Sequence, residues 1–213
     1  MAQVTHGLRA ILSHPLIYAA FQRLMGAHQA RTRFVSEFIR PNVGCRVLDI
    51  GCGPADIVAY LPDVDYWGFD VSSVYIQHAK ARFGERGHFF CQELTATDIE
   101  KWPPFDVVLG LGVLHHLDDE SVLHMMRLAS KALTSGGRLL TIDPCLEDGQ
   151  NPIARFLAKN DRGQHVRIRA EYANLAGTVF RSPRVIVRHQ RWIPYSHCIM
   201  ECTKWSFPSI NPT

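Results

Sequence analysis

No stretch of this 213-residue chain approaches the roughly 18 uncharged apolar residues that a membrane-spanning helix needs, so no membrane insertion is expected. Its start, MAQVTHGLRA, lacks the long apolar core of a secretory leader, and a cytoplasmic location is the expectation. The six cysteines (Cys45, Cys52, Cys91, Cys145, Cys198, Cys202) include no CxxC pair. That argues against a disulfide framework or a zinc ribbon and for reduced, mostly buried thiols. Cys198 and Cys202 with His197 have the look of a zinc corner. They stand in an apolar, strand-like stretch, however, and no metal is expected. No tandem repeat or low-complexity tract appears. A length of 213 residues that are 46% hydrophobic suits one α/β domain with a single core. Its expected parts are N-terminal helices over 1–43, a ligand-binding half over 44–143, and a substrate-side loop, helix and β-hairpin over 144–213.

What the chain does have is a turn. Val47 to Ile50 is an apolar run holding one acid, Asp49, and Gly51-Cys52-Gly53 follows before a helix-compatible segment. A buried strand thus opens into a glycine-lined corner, where an open α/β sheet receives a nucleotide. A dinucleotide fingerprint wants Gly or Ala three places beyond the second glycine, but Asp56 stands there, and its charge would face a phosphate unfavourably. S-adenosylmethionine (SAM) has no phosphate and carries a cationic ammonium and sulfonium, so the acids of this turn favour it over NAD. Asp70, ending the apolar segment VDYWGFDV (64–71), lies 19 residues beyond Gly51. That is near the ~20-residue interval at which an acid reaches a ribose.

Periodicity orders the rest. Two helices are expected within 7–40, one opening at Pro15 and ending at Gly26, the other running from Ala27 to Ile39 before Pro41. Strands follow at Cys45–Ile50, Val64–Val71, His88–Cys91, Phe105–Leu109 and Arg138–Asp143. Helices separate them at Asp56–Leu61, Ser73–Phe83 and from Asp118 or Asp119 to about Leu133, where Gly136-Gly137 is the expected stop. Gln92-Glu93-Leu94, at the end of the third strand, offers an acid for an adenine amino group and a leucine to pack on its ring. Short helices are expected at Ile153–Lys159 and Glu171–Ala176, then an antiparallel hairpin from Val185–Trp192 and Ser196–Thr203.

Methyl transfer from a sulfonium needs an aligned nucleophile and, for a hydroxyl or protonated amine, a base near neutrality. His115 and His116 lie directly beyond the fourth strand. Of the two, His116 is read as the base and His115 as a packed or capping histidine; His165, in DRGQHVR, is the rival base. Charge is uneven. Residues 1–150 hold 13 Lys and Arg against 17 Asp and Glu, whereas 151–213 hold 10 against 3. Arg162, Arg167 and Arg169 flank His165 and point to an anionic small-molecule acceptor. Asp143 faces the same edge and could orient a substrate hydroxyl.

Together VLDIGCGPAD, GFDVS, FFCQEL, FDVVLGLGVLHHL and LTSGGRLLTID, in this order and spacing, resemble the class I SAM-dependent methyltransferases, particularly their small type 11 and type 12 groups. The resemblance implies a Rossmann-like sheet of seven strands in the order 3-2-1-4-5-7-6, strand 7 antiparallel, with helices on both faces. It places Gly51 and Gly53 against the methionine part of SAM, with Asp49 oriented to its ammonium. Asp70 with Val71 would hold the ribose, Glu93 and Leu94 the adenine, and Gly110 and Leu111 the methionine end. The implied product is S-adenosylhomocysteine. Ala55 departs from the family, which often has a third glycine there. An RNA methyltransferase is the competing reading, prompted by the basic C-terminal third. Against it, GLGV follows strand four where many base-amine methylating enzymes carry an N/D-P-P-Y motif, and the length leaves no room for a separate RNA-binding domain. A non-catalytic SAM-binding or scaffolding protein is the other.

Overall fold

The computed structural model describes residues 27–161, 163–190 and 195–205. The expected helix from Pro15 to Gly26 lies outside the described residues. The second expected helix is present as α1 (Ala27–Phe34), which widens into a π turn over Val35–Ile39. It buries Phe34, Val35, Phe38 and Ile39. Arg40, in the left-handed region at φ 44°, ends it just before Pro41.

Strand β1 (Arg46–Ile50) leads through a 3-10 turn (Asp56–Tyr60) to β2 (Asp65–Asp70), α2 (Ser73–Phe83) and β3 (Gly87–Cys91). The side-chain oxygen of Ser72 caps α2 by accepting from the Tyr75 amide at 3.4 Å. A six-residue helix that the periodicity did not reveal, α3 (Ala96–Lys101), comes next. It is fixed by a capping box in which Thr95 and Asp98 each satisfy the other's backbone N–H. Then come β4 (Phe105–Leu111), a 3-10 turn (Leu114–His116), α4 (Asp119–Ala132) and β5 (Leu133–Leu146). The final stretch holds α5 (Pro152–Lys159), β6 (Arg167–Ile168), α6 (Arg169–Gly177), β7 (Arg184–Gln190) and β8 (Tyr195–Thr203).

The sheet order is β3-β2-β1-β4-β5-β8-β7, with β8 antiparallel to both neighbours. This is the order the resemblance implies, with one addition. The two-residue β6 pairs in parallel with the far end of β5, at Cys145 and Leu146. The fifth strand also starts earlier than its sequence indicates. Helix α4 ends at Ala132 and Leu133 is already extended, so Gly136-Gly137 does not stop a helix. Partners jump from Phe105↔Leu133 to Val107↔Arg138, so the glycines sit in a bulge inside β5.

Apolar layers cover both faces of the sheet. Leu48, Phe69, Val108, Leu139 and Met200 pack with Met126 and Ala129 of α4 and Tyr172 of α6. Val47, Tyr66, Leu109, Leu140 and Ile199 pack with Phe38 and Ile39 after α1 and with Ile76 and Ala79 of α2. The parallel strands β1, β2, β4 and β5 thereby bring their carboxyl ends to one edge, where the ligand crevice of such a sheet lies. Among the described residues no helix is long and apolar enough to cross a membrane.

Candidate active site

The turn after β1 is built on backbone that only small residues adopt without strain. Gly51 has φ +73° and Gly53 φ +55°. A side chain on Gly51 would collide with Val113, its Cβ meeting Val113 Cγ2 at 2.6 Å, so the β1 turn and the β4 turn touch there. Over Gly53 the space is open. Asp70, at the end of β2, braces this corner: Oδ2 accepts from the Gly53 amide at 2.9 Å and Oδ1 from the Ser72 amide at 2.8 Å. Each carboxylate oxygen keeps a further lone pair for a ligand hydroxyl.

Asp49 lies beneath the turn, 1% exposed. Its Oδ2 accepts from the Tyr66 hydroxyl at 2.6 Å, while Oδ1 has no partner among the described residues. Burial pushes this carboxyl up to about 6, and the charge of Asp70 adds to the rise; the Tyr66 hydrogen bond opposes both. A buried carboxylate oxygen with no donor at a glycine turn fits a cationic ligand group. SAM, with its ammonium, meets that demand.

The other positions expected to meet the cofactor spread along the same edge. Val71 is 48% exposed and Glu93 is exposed. Leu94 instead is 7% exposed and packs in the core with Phe69 and Ile99. Gly110 is buried where β4 meets α4, and its absent Cβ leaves room for Met125 Cε, which would otherwise stand 2.4 Å away. Leu111, half-buried, ends β4. Asp56 does not face this crevice as a bare charge. Its carboxylate is paired with Arg31 at 3.3 Å and with Arg82. The sequence argument that Asp56 repels a phosphate therefore loses its geometric footing.

On the acceptor side, the 3-10 turn after β4 buries His115 and leaves His116 half-buried, their rings 4.0 Å apart. His115 is held between two carboxylates. Its Nδ1 lies 2.8 Å from Asp143 Oδ1, at the end of the β5 core, and its Nε2 3.2 Å from Asp161 Oδ1, beyond α5. Burial pulls its pKa down, but the bonds to Asp143 and Asp161 and their charges outweigh it and raise it to about 9. With a carboxylate at each ring nitrogen His115 is placed to donate from both, and a ring protonated on both holds no lone pair for a substrate proton. His165 reaches the cluster through its backbone, its amide donating to the His115 carbonyl at 3.0 Å.

The sequence reading did not single out Asp161, Tyr195 or His197 as parts of this edge. Asp161 accepts from the Tyr195 hydroxyl, whose ring is 5.0 Å from that of His197. Burial lowers His197 to about 4, so it is neutral. No local pattern ties these partners to His115, because they come from β8 and from the segment beyond α5. Two of the three arginines counted for an anionic acceptor make contacts within the fold. Arg167 is buried, donating to Asp119 Oδ1 and to the carbonyls of Leu114, Leu117 and His165. Arg169 donates to the Val185 carbonyl at 3.4 Å, and Arg162 lies outside the described residues.

Among the described residues no group of three or more His, Cys, Asp and Glu is arranged to hold a metal. Burial raises the thiols of Cys145 and Cys202 to about 12, which keeps them neutral and poor ligands.

Comparison with known proteins bears on the fold and the domain. The bacteriochlorophyllide d C-20 methyltransferase of Chlorobaculum tepidum is 29% identical over 119 residues. The match takes in 53% of this chain, which spans only 35% of that relative. Among solved structures, the magnesium protoporphyrin IX methyltransferase of Synechocystis PCC 6803, crystallised with bound SAH, superposes with a TM-score of 0.64. It is 18% identical, with 84% of each chain covered. The YcgJ protein of Bacillus subtilis gives a TM-score of 0.63 at 15% identity, over 84% of this chain and 100% of that one. At such identities the superpositions carry the fold, and the domain is carried by residues 48–139, which match the methyltransferase domain family. That domain and the strand order are the ones that the resemblance to the class I SAM-dependent methyltransferases implies.

Proposed function

We propose that this chain transfers a methyl group from SAM to an oxygen or nitrogen nucleophile of a small molecule. The observation that carries the reading is Asp49, a fully buried carboxylate with a partnerless oxygen beneath a glycine turn that is open over Gly53. Asp49, Gly51, Gly53 and Asp70 would hold the methionine and ribose parts, with Val71, Glu93, Gly110 and Leu111 along the same edge. Leu94 supports that edge from within the core. SAM supplies, when bound, an electrophilic methyl on a sulfonium whose departure needs no acid.

The chain's own task is to place the nucleophile and take its proton. The carboxylates at both ring nitrogens of His115 speak against it as the base. His116, beside it and half-buried, is the proposed base, and His165 the alternative. A small-molecule acceptor is favoured by the relatives, two of which are named for tetrapyrrole substrates. The anionic acceptor suggested by the basic C-terminal third loses its support with Arg167 and Arg169 engaged. The same holds for RNA, since Arg184 and Arg188 of β7 are paired with Glu201 and Glu37.

Calorimetric titration with SAM, S-adenosylhomocysteine and NADH tests the cofactor, and SAM consumption over a panel of hydroxylated, aminated and anionic small molecules and RNA tests the acceptor. His116→Ala should lower turnover at least ~100-fold with SAM affinity little changed, as loss of a general base does. Binding of NADH without SAM or its product would sink the methyltransferase reading, and normal turnover of His116→Ala at every pH would remove His116.

A further inference from the structure

The acceptor side of the edge contains a charged unit that the transfer itself does not explain. A carboxylate only accepts hydrogen bonds, so a histidine with a carboxylate on each ring nitrogen donates from both and is a cation. His115 is in that position between Asp143 and Asp161. The two carboxylates do not contribute alike. Asp143 belongs to β5, is 1% exposed, and accepts from both the ring and the amide of His115.

Asp161 is the tie to a different part of the chain. It follows α5 and carries three donors: His115 Nε2, the Gly163 amide at 2.9 Å, and the Tyr195 hydroxyl at the start of β8. Backbone contacts tighten the same junction. The His165 amide donates to the His115 carbonyl, and a Cβ on Gly163 would fall 2.2 Å from His115 Cδ2. One carboxylate therefore joins the ends of β4 and β8 to the segment beyond α5.

We propose that Asp161 is a positioning residue for the methyl acceptor: it clamps the His115 ring against Asp143 and so fixes the wall, formed with His116 and Tyr195, against which the nucleophile is held. The inference rests on the methyltransferase reading above and adds to it a residue outside the matched domain. Among the described residues, the titratable groups near His115 come from several elements. Asp143 comes from β5, Asp161 from beyond α5, Tyr195 and His197 from β8, His116 from the same turn, and His165 from the neighbouring segment. Of these His197 is neutral, because burial lowers it to about 4. The hydrogen bonds and charges of His115 and the Tyr195 hydroxyl outweigh burial and hold the Asp161 carboxyl well below the usual range. The cluster thus carries two negative charges against one positive, and removing one carboxylate must be felt at the ring.

Proton NMR of the histidines in the full-length protein tests the clamp without knowledge of the acceptor. His115 should remain protonated on both nitrogens through pH 8, and Asp161→Asn should lower its midpoint by about 1–3 pH units. With an acceptor from the panel, Asp161→Asn should lower kcat about 10- to 100-fold, with a shifted pH profile and an unchanged calorimetric Kd for SAM; Asp161→Glu should restore part of the loss. Titration of wild-type His115 near the ordinary value of about 6.5 would overturn the proposal even if Asp161→Asn fails to fold. So would an Asp161→Asn enzyme with normal kcat and pH profile. A wild-type protein that shows the raised His115 but binds no SAM would refute the methyltransferase reading and leave the clamp as a purely structural tie, which overturns the positioning role as well.

Discussion

Replacing Asp49 by asparagine should change the stability of the ligand-free protein by an amount that depends on pH. The carboxyl is fully buried and raised from an ordinary 3.8 to about 6. Since its folded pKa is the higher one, the folded protein binds more protons than the unfolded chain between pH 4 and 6, and this group's contribution falls as pH rises through that window. Below pH 4 both states are protonated and there is no penalty. Above pH 6 the penalty is complete, and a shift of about two units corresponds to about 3 kcal/mol. An asparagine is uncharged throughout. Its amide oxygen can accept from Tyr66, while its NH2 falls where Oδ1 has no partner, a constant cost of about 1–3 kcal/mol. That constant offsets the curve without tilting it. The stability of Asp49→Asn relative to wild type should therefore rise by about 3 kcal/mol from pH 4 to pH 7. Carboxyls lowered by their partners, such as Asp161 and Glu201, lose stability as pH falls, but equally in both proteins.

Urea unfolding of both proteins without ligand at several pH values between 4 and 7 measures the difference directly. At a length of 213 residues, the same change corresponds to roughly 6–12 °C in relative Tm. A difference that stays flat, or falls with pH, would refute the argument that Asp49 is a destabilising charge kept for a cation. Saturating SAM supplies the test of purpose: wild type should gain more stability from it than the asparagine variant does.

Two further substitutions probe the same edge. Arg167→Lys keeps the charge but cannot reproduce a guanidinium that reaches Asp119 and three carbonyls, one of them in fully buried Leu114. Losing about 2 kcal/mol, it should melt roughly 4–8 °C lower by calorimetry, and an unchanged Tm would return Arg167 to the list of residues free to meet an acceptor. Gly51→Ala should weaken SAM binding at least ~10-fold by calorimetry. Its left-handed backbone costs about 1–2 kcal/mol and its methyl would force Val113 off the turn; near-normal affinity would show that the two turns separate freely.

How much of this was legible in the sequence depends on whether a residue's constraint is local. Gly51 and Gly53 were readable because the backbone there has positive φ, and the alternation of apolar strands and helices gave the sheet, down to the hairpin of β7 and β8. Gly136-Gly137 was misread because a helix stop and a bulge ask the same freedom of glycine; only the pairing of Phe105 with Leu133 separates them. The helix α3 was missed at six residues, too short for periodicity to register, although Thr95 and Asp98 spell its capping box.

Charges misled most. Asp56 read as a repeller of phosphate, yet Arg31 and Arg82, 25 and 26 residues away, neutralise it. The arginines of the last third read as a site for an anion, and three of them meet acids of the chain: Arg167 with Asp119, Arg184 with Glu201 and Arg188 with Glu37. Nothing in the sequence marked Asp161, yet it meets a histidine from beyond β4 and a tyrosine from β8. A charge is neither strand nor helix, and its role is set by whichever opposite charge the fold brings to it. In this family of sheets the cofactor edge is written in backbone demands that a sequence displays. The acceptor edge is written in side-chain pairings between distant elements, and for that reason His115, Asp143 and Asp161 become a unit only once the strands are in order.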